Sequence, residues 1–161
     1  MKKALIYSLL TILLSPTSAV PLDDSAFDTI SISADEASED ERPGILHFNG
    51  HFKMNSGDWQ LTSATATVYG DPNRPDRVYL EGSPAFFLVH RVDGDGHGPV
   101  EATASVVEYL RAVNTLTLSG DAILKLDDEV IRSTYIEYNI DTSRYQAGGT
   151  DGVMIEVPPV D

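Results

Sequence analysis

Residues 101–127 read EATASVVEYLRAVNTLTLSGDAILKLD, and the fold class follows from how their apolar side chains alternate. Leu116 and Leu118 point one way while Thr115, Thr117 and Ser119 point the other, and beyond Gly120 the residues Ala122, Leu124 and Leu126 resume the apolar row. A period of two is the signature of strand, because successive side chains leave a strand on opposite faces. A slip of one residue would turn the whole row outward, so the pattern fixes the register and commits one face of a sheet to an interior. Two turn signals punctuate the stretch, at Ala112-Val113-Asn114 and at Ser119-Gly120-Asp121.

The same unit recurs on both sides. Ile30 and Ile32 alternate with Thr29, Ser31 and Ser33, which predicts a first strand over residues 28–33. The acidic run 35–41, closed by Arg42-Pro43-Gly44, reads as a strand end and turn. Two short strands, 45–48 and 52–54, follow with Asn49-Gly50 between them, and Ala64, Ala66 and Val68 share a face of the next. Residues 71–76, with two prolines, read as a loop, since proline cannot donate to a sheet ladder. Val78 and Leu80 restart the alternation, Glu81-Gly82-Ser83-Pro84 predicts a turn, and 85–92 is the most hydrophobic strand. Ile136, Tyr138 and Ile140 align beyond the turn at 128–129, and 153–157 makes a last strand. No helical period stands out beyond the N-terminal segment that ends at Ala19, so the domain is expected to be all-β.

That N-terminal segment is not fold. Lys2 and Lys3 precede the apolar run 4–14, which ends at Ser15-Pro16 and is followed by Thr17-Ser18-Ala19, the pattern of a cleaved secretory signal peptide. The apolar core is too short to span a bilayer. The expected organisation is a signal peptide over 1–19, a loose lead-in over 20–27, one domain over 28–158 and a tail over 159–161. Removing Lys2 and Lys3 from the 11 basic side chains leaves 9 against 25 acidic ones, a net charge of −16. That balance argues against binding nucleic acid by charge. With no cysteine, disulfides and thiolate metal sites are excluded. An acidic, cysteine-free exported chain fits a bacterial periplasm.

Glycines recur behind a common phrase: Phe48-Asn-Gly50, Leu80-Glu-Gly82, Leu118-Ser-Gly120 and Gln146-Ala-Gly148-Gly149. Eleven residues separate Glu39 from Gly50, Tyr109 from Gly120 and Tyr138 from Gly149. Successive glycine anchors lie about 30 to 40 residues apart, and repeats of that length, built from strands and turns alone, imply β-layers sharing one interior.

Taken in order, the phrases ADEASEDERPGILHFNGHFKM, VEYLRAVNTLTLSGDAILKL and IRSTYIEYNIDTSRYQAGG resemble the OstA-like (LptA) family of lipopolysaccharide-transport proteins, with the likeness running from Ile30 to about Val157. The resemblance implies a twisted open β-jelly roll of antiparallel strands whose groove sheathes the acyl chains of lipopolysaccharide. It also implies end-to-end association with further copies and with the jelly-roll domains of an inner-membrane anchor and an outer-membrane translocon. A further reading within the family, the periplasmic domain of that anchor, is disfavoured because the anchor keeps its N-terminal helix, whereas Thr17-Ser18-Ala19 looks cleavable.

If the sheet encloses a lumen, the aligned rows that line it are Ile30, Ile32, Phe48, Phe52, Met54, Leu61, Val68, Phe87, Tyr109, Leu118, Leu124, Ile136 and Tyr138. The residues alone favour a packed core, because small jelly rolls are often filled by their own side chains. The resemblance favours a lipid-holding groove, with Ile30, Ile32 and Phe87 matching the family pattern most directly. Charged replacements such as Ile32→Asp or Phe87→Glu are then expected to abolish lipid binding and leave a folded β protein. The competing function is a structural or adhesive β-repeat domain with protein partners only.

Other candidate chemistry is thin. His47 and His51 share strand parity and could chelate a metal, but no third ligand lies nearby in sequence. Asp93, Asp95 and His97 sit on a glycine-rich loop whose spacing to an acid fails for calcium, since Ala104 stands where a glutamate belongs. No serine elbow, phosphate loop, dinucleotide fingerprint or zinc helix is present, so neither a cofactor nor an enzymatic activity is expected.

Overall fold

The computed structural model describes residues 30–90 and 98–159. They form one antiparallel sheet of nine strands: β1 (Ser31–Ser33), β2 (Glu36–Glu39), β3 (Ile45–Asn55), β4 (Trp59–Asp71), β5 (Arg74–Val89), β6 (Val100–Leu110), β7 (Thr115–Leu126), β8 (Glu129–Asn139) and β9 (Arg144–Glu156). The order is β1-β3-β4-β5-β6-β7-β8-β9, with β2 also pairing with β3, so each hairpin lies beside the next and the sheet is open. A single 3₁₀ turn, Arg111–Val113, joins β6 to β7, closed by Asn114 in the left-handed region. No helix among the described residues is long and apolar enough to cross a membrane.

The glycine phrases do not reverse the chain. Asn49-Gly50, Gly82 and Gly120 lie inside strands of 11, 16 and 12 residues, where the pairing shifts register instead of turning. Similar shifts occur on β4, β6 and β8, so a line of bulges crosses the sheet. A bulge bends a strand and sharpens its twist. Gly50 and Gly120 hold φ of 74° and 76°, each followed by a second left-handed residue, His51 or Asp121. Glycine adopts that conformation without steric cost. A neighbour's side chain also lies over each glycine: Asp35 over Gly50, Ser105 over Gly120, Thr134 over Gly149. The interval in sequence is the same in all three pairs.

This crease folds the sheet face to face. Phe87 pairs with Ala102, and Tyr109 lies seven residues further along β6. That is about 23 Å of extended chain at ~3.3 Å per residue. Yet the Phe87 and Tyr109 rings are 5.9 Å apart, and Trp59 meets Tyr109 edge-on at 4.6 Å. Such contacts require the two halves of each strand to face one another. Ala66, Ala85, Ala104 and Ala122 stand beside the register shifts and are buried, and their small side chains let the halves approach.

Three local readings are corrected by the bulges and the pairing. The acidic run does not simply end a strand: Glu36–Glu39 is β2, hydrogen-bonded along β3 and exposed throughout. Pro75 is not in a loop but at the start of β5, opposite Gly70, where its missing N–H costs least. Ala64 does not share a face with Ala66, because the shift between Thr62 and Thr65 reverses side-chain parity and turns Ser63 inward instead. The Ser63 hydroxyl is satisfied by donating to the Thr65 carbonyl at 2.7 Å.

Candidate functional site

The thirteen residues expected to share an interior do so. Phe48, Phe52, Met54, Leu61, Val68, Phe87, Tyr109, Leu118, Leu124, Ile136 and Tyr138 are buried in one cluster, and Ile30 and Ile32 pack half-buried against it. The sequence reading leaves out Val78, Leu80, Val89, Val100, Val107, Leu116, Ile131 and the alanines of the crease, all on the same face. Parity reversals at the bulges hide several of them. Among the described residues Ser63 is the one buried polar side chain, so the interior carries no charge. Its chemistry is burial of apolar surface, worth roughly 25 cal/mol per Å².

The interior is closed along most of its length by its own side chains. It opens at one end, where Ile30, Met54, Trp59 and Tyr109 border a cavity of about 180 Å³ rimmed by Arg74 and Arg111. Trp59 stacks tilted against Phe87 at 5.4 Å, which ties the mouth to the core. The Tyr109 hydroxyl donates to Asn114 Oδ1 at 2.9 Å, and burial pushes its pKa above the ordinary tyrosine value. The sequence reading misses Trp59, Arg74 and Arg111, which converge from turns far apart in the chain. A second, shallower recess of about 550 Å³ lies along the crease between β7, β8 and β9.

Phe87 therefore differs from Ile32. Phe87 is fully buried between Trp59 and Tyr109, so a glutamate there would leave a charge stranded in the core. Phe87→Glu tests folding, and only Ile32→Asp tests the surface. The histidines do not converge either. His51 Nδ1 lies 2.7 Å from Asp35 Oδ2, whereas His47 Nε2 lies 3.1 Å from Asp40 Oδ2. Hydrogen bonds from Arg42, and then from His47, hold the Asp40 carboxyl far below the usual carboxylate range. No group of three or more metal-ligating side chains occurs among the described residues. Asp93, Asp95 and His97 lie outside them.

Residues 31–144 match the family model described as LptA/(LptD N-terminal domain) LPS transport protein. The chain belongs to this family. Among relatives of the LptA/LptD N-terminal family, the lipopolysaccharide export system protein LptA of Haemophilus influenzae is 28% identical over 145 residues, 88% of this chain and 82% of that one. The corresponding LptH of Pseudomonas aeruginosa is 23% identical over 150 residues, 92% of this chain and 85% of that one. LptA of Escherichia coli is 25% identical over 128 residues, covering 78% and 68%. The crystal structure of LptH, described as the LptA-homologous periplasmic component of the lipopolysaccharide transport device of P. aeruginosa, superposes with a TM-score of 0.70. It is 21% identical and covers 82% of this chain and 96% of its own, which establishes the shared fold.

Proposed function

We propose that this chain is a periplasmic carrier and bridge for lipopolysaccharide, shielding the lipid A acyl chains between inner and outer membrane. The observation that carries the reading is a continuous, uncharged apolar face folded inside an open sheet of the LptA/LptD N-terminal family. Its work is passive, with no catalytic step and no cofactor. Acyl chains would be admitted where the interior is not closed, along the half-buried Ile30 and Ile32 and the mouth beside Trp59. The N-terminal signal sequence supports export to the periplasm.

The partners of this reading are lipopolysaccharide, further copies of the chain end to end, and the jelly-roll domains of the inner-membrane anchor and outer-membrane translocon. Strand addition supports the protein contacts: β1 and β9 border the sheet, and an exposed edge offers free backbone donors and acceptors to an added strand.

The test is photocrosslinking in cells from position 32, paired with Ile32→Asp. Capture of lipopolysaccharide by the crosslinker, together with loss of co-purifying lipid from a variant whose β-sheet circular dichroism is unchanged, is the expected result. A crosslinker that captures only protein would favour the adhesive-domain alternative.

A further inference from the structure

We propose that Arg74 and Arg111 form a clamp for the phosphate of an acylated, phosphorylated lipid at the mouth of the interior. The inference rests on the carrier reading and assigns the headgroup end of the ligand to a place in the fold. The mouth is lined by the apolar and aromatic residues Ile30, Met54, Trp59 and Tyr109 together with Arg74 and Arg111. Apolar side chains and two arginines lining one cavity are complementary to one class of ligand, an anionic headgroup joined to acyl chains.

Charge makes the placement informative. Beyond the signal sequence the chain has 9 basic side chains against 25 acidic ones, so the protein as a whole repels an anion. At physiological salt that repulsion is screened beyond ~8 Å, and contacts at the rim decide. Arg111 is fixed in place: its Nε donates to the Pro75 carbonyl at 3.0 Å, and one terminal nitrogen pairs with Asp76. Asp76 offsets the charge of Arg111 and leaves it as an oriented donor. Arg74 is exposed and makes no ion pair with a described residue. The nearby Asp71 is engaged, accepting from the Asn73 backbone at 2.8 Å and its side chain at 3.0 Å. Arg74 thus supplies the uncompensated cation and Arg111 the fixed one. A guanidinium matches phosphate oxygens with two parallel donors, which a lysine cannot reproduce.

The chain contains one tryptophan, and it lines this mouth, so its fluorescence reports occupancy directly. The mature protein is titrated with purified lipid A, with the same lipid stripped of its phosphates, and with inorganic phosphate, alongside Arg74→Ala and Arg74→Lys. Lipid A is expected to bind about tenfold more tightly than its dephosphorylated form, the size of a charge-assisted contact. Arg74→Ala should erase that difference, Arg74→Lys should retain part of it, and inorganic phosphate alone should leave Trp59 unmoved. Equal binding of the two lipids, or an undiminished preference in Arg74→Ala, overturns the clamp and leaves the carrier standing. If neither lipid shifts Trp59 nor co-sediments with the protein, the carrier reading falls and the clamp with it.

Discussion

Ile131 on β8 and Ile155 on β9 are cross-strand partners on the same face of the sheet, yet Ile131 is completely buried and Ile155 is 49% exposed. The difference is what stands opposite. Inward-facing residues of the central strands meet the other half of the folded sheet, whereas the far half of β9 has no described wall across from it, and Val153 and Val157 are exposed as well. Alternation decides which face a side chain takes, but burial needs a second surface. The other border is built differently. There β3 is covered in two pieces by the short β1 and β2, and β2 brings Glu36 and Glu39 with Asp35 and Asp40 beside it. One border is blunted by charge, and the other is long and greasy.

The largest effect expected from that contrast is on stability. Phe87→Ala should cost about 3–5 kcal/mol, the usual loss for a buried aromatic, while Ile155→Ala should stay within about 0.5 kcal/mol. Denaturant unfolding of the two variants measures both. If β9 receives another copy, Ile155→Asp should leave the unfolding midpoint in place and shift sedimentation toward monomer across a concentration series. An unchanged association would place self-contact elsewhere.

The crease gives a smaller and sharper contrast. Gly120 has positive φ, and a Cβ there would come within 2.9 Å of Ser105 Oγ, whereas Gly148 has open space around it and no positive φ. Gly120→Ala should therefore destabilise by ~1–3 kcal/mol. Gly148→Ala should be close to neutral in the same thermal or denaturant assay. Equal effects would mean that the crease does not depend on the left-handed turn.

The mildest effect is on pH dependence. Burial raises the Tyr109 pKa and, with neighbouring carboxylates, those of Tyr79 and Tyr135, while Tyr145 is raised first by its hydrogen bond to Glu129 and then by burial. A group whose folded pKa lies above its unfolded value of about 10 contributes stability that is complete below that pH and lost as pH rises through the folded value. Alkaline titration should show stability falling together with late tyrosinate absorbance, and Tyr109→Phe should flatten the slope.

Much of this is readable in the chain. The period of two and the recurring glycine phrases lead to an all-β sheet and to thirteen residues of its interior, because parity survives wherever a strand is unbroken. What is hidden has one cause. The glycines read as chain reversals, although Asp35, Ser105 and Thr134, each at the same interval ahead of its glycine, mark a bulge covered by a side chain from the neighbouring segment. On β4, β5, β6 and β8 those bulges swap the inward parity, and Ser63 and Ile131 change face with it. The mouth is harder still. Trp59, Arg74 and Arg111 meet only after the sheet has folded over, and nothing local in sequence joins a tryptophan after a tight turn to an arginine between two prolines.

The constant interval between glycine and overlying side chain also sorts the chain into parts that can and cannot vary. The tips at 40–44, 111–114 and 140–143 lie inside that interval and are therefore fixed in length, whereas the tip at 127–128 lies outside it and could lengthen without displacing the bend. A whole hairpin carries its own segment of the bend with it. Duplicating such a cassette between β8 and β9 would extend the apolar gallery by one step while keeping its mouth, and length thereby becomes a modular property of this architecture.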